Sequence, residues 1–284
     1  MKAAFIEKHG GLDVLKVGEL PVPEPQDAEV LVRVQNSALN HLDIWVREGL
    51  PGLKLKYPHI LGSDGAGTVE RVGKSVVDLK PGDEVIVHPG LSCMKCEKCL
   101  NGWETLCPSY KILGEHVSGT NAEFVTVPRT NIFAKPKNLP WAEAASLCLV
   151  FTTAWQMLVR RAKLKAGDLV LIHAAGSGVG MAGIQIAKTL GAEVIATAGS
   201  GPKLEMAKKL GADHVINYRE QDFLEETKKI RKAGVDIVFD HLGQDYWEKN
   251  VRITKWGGTI VTCGATSGGD AKLDLKQVFF RQLS

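Results

Sequence analysis

Hydrophobic and polar positions follow two different patterns along the chain, and the pattern changes near residue 135. Before that point the apolar runs are short, and glycine and proline separate them. Runs of this length and punctuation predict β-strands in a small, irregular β-barrel. The predicted strands are residues 2–6, 29–34, 67–72, 84–88 and 123–127.

After about residue 165, strand-like and helix-like segments alternate. Alternation of this kind predicts right-handed crossovers and a parallel sheet. The predicted strands are residues 168–173, 193–197, 214–217, 235–240 and 258–263, and the predicted helices between them are 178–190, 202–210, 221–232 and 245–255.

The predicted parallel sheet has one strand fewer than the six of a two-halved dinucleotide-binding fold. The last segment is amphipathic, with apolar residues at Leu275, Val278, Phe279 and Leu283, and resembles the helix that would precede a sixth strand. We therefore expect a first domain at residues 1–135 and a Rossmann domain at residues 136–284 that lacks its last strand.

Composition narrows the class of protein. Hydrophobic residues make up 44% and charged residues 24% of the 284 positions, which is typical of a soluble globular protein. The net charge of +3 is too small to indicate a nucleic-acid or membrane surface. The first twenty residues contain charges throughout and no apolar core segment, so we expect a cytoplasmic protein without a signal peptide.

A turn of small residues joins the first strand of the second domain to its first helix. Small residues allow the backbone to approach a pyrophosphate, and the helix N-terminus directs N–H groups toward it. The match to Gly-x-Gly-x-x-Gly is imperfect, because Ala175 and Ser177 occupy the first two glycine positions. A turn required only for close helix–strand packing is the alternative. The predicted phosphate-binding residues are Gly176, Ser177, Gly178, Val179 and Gly180.

The end of the second strand of this domain bears on the choice of cofactor. Proteins selective for NAD usually place Asp or Glu there to bind the ribose 2′-hydroxyl, and none is present. Ser200 and Lys203 instead offer a hydroxyl and a cation that suit a 2′-phosphate. The sequence therefore predicts NADP(H) in preference to NAD(H), although Ser200 as a helix N-cap and Lys203 as a surface lysine remain the alternative.

Four of the six cysteines follow the spacing C-x2-C-x2-C-x7-C, within a lobe at about residues 90–110. Four thiolates complete a tetrahedral zinc site and leave no coordination position for a substrate. The predicted ligands of one structural Zn²⁺ are Cys93, Cys96, Cys99 and Cys107.

This cysteine spacing, followed by a Rossmann-type unit, resembles the medium-chain dehydrogenase/reductase superfamily. The resemblance extends over the whole chain and implies a GroES-like β-barrel domain joined to a doubly wound Rossmann domain, C-terminally truncated relative to the family. It is carried by segments that include LNHLD at 39–43, ILGSDGAG at 60–67, PGDEV at 81–85, FTTAW at 151–155 and LGAD at 210–213.

The resemblance also places the catalytic zinc ligands of the alcohol dehydrogenases at Asn40, Ser63 and Leu149, where the usual ligands are replaced. A chain that retains the structural zinc site but lacks the catalytic zinc ligands resembles the quinone oxidoreductase-like branch. That branch implies roles for Asn40 and Asp43 near the substrate, for Thr153 near the nicotinamide and for Tyr218 at the adenosine phosphate. An improvised zinc site remains open as an alternative, formed from His41, Asp43, His59 and Asp64.

These patterns together predict an NADPH-dependent oxidoreductase that transfers hydride to an enone or quinone without catalytic zinc. Two alternatives stay open: an NAD(P)-dependent alcohol dehydrogenase of the zinc-containing family, and a non-catalytic nucleotide-binding scaffold. The expected partner is a small carbonyl, enone or quinone substrate, and not a nucleic acid or a membrane. Family members are typically homo-oligomers that pair through the edge strand, which this chain is expected to lack.

Overall fold

A computed structural model describes residues 1–284. The chain divides into two compact units, Met1–Leu149 and Val150–Ser284. The domain boundary predicted at residue 135 precedes this division, because helix α3 (Trp141–Ala145) still belongs to the first unit. Its Ala144 and Ala145 are buried against Ala66 of that unit. The first unit therefore continues beyond the predicted domain boundary.

The first unit consists of antiparallel β-structure around a valine-rich core. A five-stranded sheet has the order β10-β6-β5-β3-β9, a three-stranded sheet has the order β2-β1-β4, and β7 pairs with β8. The strands are β1 (Lys2–Ile6), β2 (Lys16–Glu19), β3 (Glu29–Ala38), β4 (His59–Ile60), β5 (Asp64–Val72), β6 (Glu84–Val87), β7 (Gly90–Leu91), β8 (Lys111–Ile112), β9 (Phe124–Pro128) and β10 (Ile132–Ala134).

Three helices besides α3 lie in or begin in this unit: α1 (His41–Glu48), α2 (Glu97–Leu100) and α4, which starts at Cys148 and continues to Trp155. The sequence patterns predicted none of them. Each has eight residues or fewer, and two turns are too few for a 3.6-residue apolar period to stand out.

The second unit is a parallel sheet with helices between its strands, which confirms the predicted Rossmann-type fold. The strand order is β13-β12-β11-β14-β15, the order 3-2-1-4-5 of a dinucleotide-binding sheet. The strands are β11 (Leu169–Ile172), β12 (Glu193–Ala198), β13 (His214–Asn217), β14 (Val235–Asp240) and β15 (Thr254–Thr262), and the helices are α5 (Gly178–Thr189), α6 (Gly201–Lys209), α7 (Phe223–Ile230), α8 (Gln244–Ile253) and α9 (Leu275–Phe280).

The central strands of this sheet are buried on both faces. Every residue of β11 and β14 is buried, as expected for parallel strands that are covered by helices. Ile172 and Phe239 belong to the apolar cluster on one face, and Leu171 and Val238 to the cluster on the other. The loops at the carboxyl ends of β11 and β14 consequently start from rigid positions.

The predicted boundary between the last helix and strand was wrong by several residues. α8 ends at Ile253, and β15 begins at Thr254, not at residue 258. Thr254 has an extended backbone, and its Oγ1 donates to the Asn250 carbonyl at 2.7 Å. Thr254 is the C-cap of α8, and it pairs with Val235 of β14.

The C-terminal helix is shorter and more exposed than its apolar pattern predicted. α9 has six residues, and Leu275 and Phe279 are 71% and 65% exposed. The backbone of Ser284 then exchanges hydrogen bonds with Gly258 and Ile260 beside β15. None of the helices along residues 1–284 combines the length and the apolar character that crossing a membrane requires.

Candidate functional sites

The four predicted zinc ligands converge. The Sγ atoms of Cys93, Cys96, Cys99 and Cys107 all lie within 4.8 Å of one another. The Cys96–Cys99 and Cys93–Cys99 sulfur distances are 3.5 and 3.9 Å. A tetrahedral site with Zn–S bonds of about 2.3 Å requires sulfur separations of about 3.8 Å. Both the donor set and its spacing therefore fit a zinc ion with a closed coordination shell.

Backbone N–H groups favour thiolates in this lobe. The N–H groups of Cys93 and Ser109 donate to the Cys107 sulfur at 3.5 and 3.4 Å. N–H groups of Lys95 and Cys96 lower the pKa of Cys93 to about 6. Since the thiolate is the form that binds metal, these N–H groups favour metal binding at Cys93. Burial and the neighbouring cysteine sulfurs instead raise the pKa of Cys96 to about 11.

The predicted phosphate loop leads from β11 into α5. Ser177 is the N-cap of α5, and its Oγ accepts a hydrogen bond from the Gly180 N–H at 3.0 Å. A Cβ at Gly180 would lie 2.6 Å from the Ala174 carbonyl oxygen, so only glycine allows the helix to start this close to the strand. The first turn of α5 contains no acidic residue. Its positive N-terminus is thus available to an anion, as dinucleotide binding requires.

His241, which sequence analysis missed, joins this loop. It follows β14, the strand that neighbours β11, and its Nε2 lies 3.1 Å from the Ser177 Oγ. Its Nδ1 is buried and has no hydrogen-bond partner. Burial lowers the pKa of His241 to about 4, so the ring is neutral near pH 7. An orphaned buried polar atom beside the phosphate loop fits a site that a bound ligand completes.

A buried polar network lies behind His241. Asp240 accepts hydrogen bonds from the N–H groups of Leu242 and Gly243, which shape the turn that carries His241. Asn250 donates to Asp240 at 3.3 Å and lies 2.7 Å from Nε2 of His173. These contacts link β11, β14 and α8 and hold the turn in one conformation.

The residues predicted for the adenosine end surround the end of β12. A Cβ at Gly199 would lie 2.7 Å from the Tyr218 hydroxyl and 3.0 Å from Nε of Arg219. A Cβ at Gly176 of the predicted phosphate loop would lie 2.7 Å from Cδ of Lys203, so the Lys203 side chain packs against this glycine. Ser200 is the N-cap of α6, but its side chain makes no capping hydrogen bond.

Arg219 is a second residue that sequence analysis missed. It directly follows the predicted Tyr218, so a search for basic residues after the third strand would have found it. Neither Lys203 nor Arg219 forms an ion pair with a carboxylate among residues 1–284. Two exposed and uncompensated cations therefore flank the end of β12.

Asn40 and Asp43 meet at the start of α1. The Asn40 backbone N–H donates to Asp43 Oδ2 at 2.7 Å, and Asp43 Oδ1 accepts the Gly62 N–H at 3.1 Å. Burial raises the pKa of Asp43, and these two N–H groups oppose that rise. Both carboxylate oxygens of Asp43 are thus engaged by the backbone, which makes Asp43 a helix cap in this structure.

Asp64, at the first position of β5, is almost completely buried, with 1% exposure. Its Oδ2 accepts a hydrogen bond from Nδ2 of Asn40 at 2.9 Å, and its Oδ1 accepts the Leu149 N–H at 2.8 Å. Burial raises the pKa of Asp64 to about 6. Burial, together with the Asp64 charge, also raises the pKa of Cys148 to about 12, so this thiol stays protonated.

The remaining candidates for an improvised metal site do not converge. Nε2 of His59 lies 2.9 Å from the Gly114 carbonyl. Ser63, which replaces a ligand of the zinc-dependent relatives, donates its hydroxyl hydrogen to the Leu113 carbonyl at 2.8 Å. His41 is exposed and contacts the ring of Trp45 edge-on. Among residues 1–284, the cysteine lobe is the one group of three or more potential ligands close enough to hold an ion. Thr153 is half-buried in the part of α4 that belongs to the second unit.

Two family models match the chain. One, described as an alcohol dehydrogenase GroES-like domain, matches residues 26–137, and the other, described as a zinc-binding dehydrogenase, matches residues 178–284. The first match lies within the first structural unit and the second within the parallel-sheet unit.

Relatives with two kinds of name resemble the chain. An NAD-dependent alcohol dehydrogenase of Sulfurisphaera tokodaii is 36% identical over 76% of this chain and 64% of its own length. A human quinone oxidoreductase is 30% identical over 81% of this chain and 62% of its own length. The chain thus spans less than two thirds of these relatives. A crystal structure of an NAD-dependent alcohol dehydrogenase is 52% identical, with a TM-score of 0.96 over 100% of this chain and 83% of that one.

Proposed function

Because the chain belongs to the medium-chain dehydrogenase/reductase superfamily, we propose that it is an NADPH-dependent reductase of enones or quinones that uses no catalytic metal. The observation that carries the proposal is the hydrogen bond from the Asn40 amide to the buried Asp64 carboxylate. Asn40 lies at a position where the zinc-dependent relatives are expected to have a metal ligand. Its amide donates one N–H to the carboxylate, and the second, polarised N–H is left as a donor.

The residues around Asn40 do not form a donor set for a catalytic metal. Leu149 has no side-chain donor, and the Ser63 hydroxyl is bonded to a buried carbonyl. Both Asp64 oxygens already accept hydrogen bonds from the protein. A catalytic zinc needs three protein ligands and an open position, and these residues do not supply three free ligands.

Hydride addition to a conjugated acceptor suits this environment. When bound, the reduced nicotinamide supplies a hydride, which would reach the β-carbon of an enone or a quinone carbon. Conjugation delocalises the developing charge onto the substrate oxygen. The second N–H of the Asn40 amide is the donor that would stabilise this oxygen. Reduction of a simple ketone concentrates the charge on one oxygen and gains more from a Lewis acid.

The cations at the end of β12 support NADPH over NADH. A 2′-phosphate carries close to two negative charges, and charge-assisted hydrogen bonds to it are roughly twice as strong as neutral ones. Lys203 and Arg219 have no carboxylate partner, and Ser200 and Tyr218 supply hydroxyl groups nearby. The names of two relatives, which describe them as NAD-dependent, favour the opposite preference.

Alcohol dehydrogenase activity is the second candidate, since relatives that are 36% and 52% identical have that name. It requires hydride transfer to or from a simple carbonyl. Without a metal at Asn40, that reaction would rely on a neutral amide donor, whereas zinc contributes several kcal/mol to an alkoxide-like transition state.

A substrate panel tests the proposal. Oxidation of NADPH and NADH is measured with enones, quinones and aldehydes, before and after brief treatment with a mild chelator. We expect turnover of enones or quinones that the chelator leaves unchanged, and a loss of about 100-fold in kcat for Asn40→Ala. Asn138→Ala, at an exposed position outside the site and outside the cysteine lobe, is the matched control.

Two outcomes would contradict the proposal. Alcohol oxidation that brief chelation abolishes, with an unchanged melting temperature, would indicate a metal-dependent alcohol dehydrogenase. Tight NADPH binding without oxidation by any acceptor would indicate a nucleotide-binding scaffold.

A further inference from the structure

One carboxylate joins three elements of the first unit in a way that neither the family resemblance nor the proposed reaction assigns. Asp64 is the first residue of β5, Asn40 precedes α1, and Leu149 lies in the first turn of α4. Each oxygen of Asp64 accepts one hydrogen bond, from Nδ2 of Asn40 and from the backbone N–H of Leu149. The three residues are separated by 24 and 85 positions in sequence.

We propose that Asp64 is a positioning residue that sets the orientation of the Asn40 amide. Its carboxylate cross-links Asn40 to Leu149, at a place where metal-containing relatives would use an ion. The inference rests on the proposed function in one respect, which is that the Asn40 amide has a catalytic role. The cross-link itself is defined by the two hydrogen bonds.

The amide orientation follows from the donor and acceptor chemistry. An ionised carboxylate only accepts hydrogen bonds, so Asn40 must present its NH₂ group and not its oxygen to Asp64. One N–H is then bound to Asp64, and the second N–H has a fixed direction. A flipped amide would place two oxygens against each other in a site where Asp64 is 1% exposed, and such an unpaired buried contact is costly.

The contact depends on the charge of Asp64. Once protonated, the carboxyl becomes a donor, and the stable arrangement places the Asn40 oxygen against it. Burial raises the pKa of Asp64 to about 6, so this change falls within an accessible pH range. The titratable groups that face Asp64 are Asp43 of α1, which raises its pKa further, and Cys148 of α4, whose own raised pKa keeps it neutral.

Asp43 helps to keep the amide in reach of Asp64. Its two oxygens bind the backbone N–H groups of Asn40 and Gly62, so the backbone of Asn40 cannot move independently of the segment that leads into β5. The capping box at the start of α1 also directs the Asn40 side-chain oxygen toward the Asp43 backbone N–H. This contact favours the same amide orientation as the contact with Asp64, in which the NH₂ group faces the carboxylate.

Nuclear magnetic resonance on the intact chain tests the cross-link without any turnover. The side-chain ¹⁵N–¹H signals of Asn40, assigned by their absence in Asn40→Ala, are followed from pH 4.5 to 8 together with the Asp64 carboxyl ¹³C signal. We expect both to titrate with one midpoint near 6 in the unmodified protein. In Asp64→Asn the Asn40 signals should not titrate, and in Asn40→Ala the Asp64 midpoint should rise because a hydrogen bond to the charged form is lost.

Two internal controls accompany this experiment. The side-chain signals of Asn131, which donates to the carbonyls of His88 and Gly90, should not follow the Asp64 midpoint. Asp78→Asn, which removes an exposed carboxylate that pairs with Arg129, should leave the Asn40 titration unchanged. Should Asp64→Asn fail to fold, the unmodified protein and Asn40→Ala still provide the decisive comparison.

Flat Asn40 signals over this pH range, or an Asp64 midpoint unaffected by Asn40→Ala, would overturn the inference. Kinetics then separates it from the proposed function. If Asn40 acts on the substrate, Asp64→Asn should lower kcat at least tenfold with little change in KM, and the fall of kcat below pH 6 should disappear. Coupled titrations without turnover in any variant would uphold the cross-link and reject the proposed reaction.

Discussion

The imidazole Nε2 of His241 lies 3.1 Å from the Ser177 hydroxyl, which also accepts the Gly180 N–H at the start of α5. The Rossmann sheet brings these residues together, because β11 and β14 are parallel neighbours and their carboxyl ends meet at one edge. His241 thereby connects the loop after β14 to the phosphate loop, and its free Nδ1 is the one polar atom of this group without a partner.

We expect His241→Phe to weaken NADPH and NADH equally, by about five- to tenfold, the loss expected for one hydrogen bond. The two cofactors differ only at the 2′-position, and the predicted phosphate loop that His241 contacts would bind a part that they share. Because burial lowers the pKa of His241 to about 4, the loss should be the same at pH 6 and pH 8. Calorimetric titration measures it, with His214→Phe at the start of β13 as the control. Unchanged affinities would mean that the cofactor does not reach His241.

Lys203→Ala and Arg219→Ala should each weaken NADPH by about tenfold or more, the loss of a charge-assisted hydrogen bond, and leave NADH nearly unchanged. The reason is that only NADPH carries a 2′-phosphate, which the proposed site would place between these two cations. Lys209→Ala, at the other end of the same helix, is the matched control. Equal weakening of both cofactors would place the lysine or arginine at a phosphate that they share.

The cysteine lobe predicts one zinc per chain. Cys96→Ser should lose the metal and lower the melting temperature, because a closed site contributes its binding energy to folding. Cys263→Ser, outside the lobe, should keep both the zinc and the stability. Elemental analysis and thermal unfolding provide the two readings, and metal-replete protein without zinc would refute the site.

Local patterns predicted the parts of the molecule that depend on neighbours in sequence. The β11–α5–β12 unit has buried strands and a small-residue turn, and both signals lie within about thirty positions. The cysteine lobe is equally local. The start of α1 could also have been predicted, because Asn40 followed three residues later by Asp43 is a capping pattern.

The Asp64 cross-link had no such signal. Its two partners are distant in sequence, and one of them is a backbone N–H that any residue at position 149 except proline would offer. The same holds for His241 and Ser177, which are 64 positions apart and meet only through the strand order of the sheet. Sequence patterns identify elements, whereas contacts of this kind depend on how the elements are ordered.

Two buried aspartates should affect stability in opposite directions as the pH changes. The pKa of Asp64 is raised from 3.8 to about 6, so between these values the folded protein binds more protons than the unfolded chain. Its contribution to the free energy of unfolding therefore increases as the pH falls from 7 to 4. Asp236 instead binds Arg231, Lys255 and the Leu169 N–H, which overcome the effect of burial and lower its pKa below 3.8. Its contribution is present above pH 4 and is lost only as the pH falls through that lowered value.

Differences between variants isolate these two contributions. The neutral, buried His173 and His241 add their own acid sensitivity, since the pKa of each is lowered to about 4, but this background is common to all the proteins compared. Relative to Asp64→Asn, the unmodified protein should gain up to about 3 kcal/mol between pH 7 and 4, at 1.36 kcal/mol per pKa unit. Relative to Asp236→Asn, it should be more stable at pH 7 and lose that advantage below pH 4. Urea unfolding at four pH values measures both differences. A loss on acidification relative to Asp64→Asn would show that burial does not dominate the pKa of Asp64. A gain on acidification relative to Asp236→Asn would show that the contacts of Asp236 do not outweigh its burial.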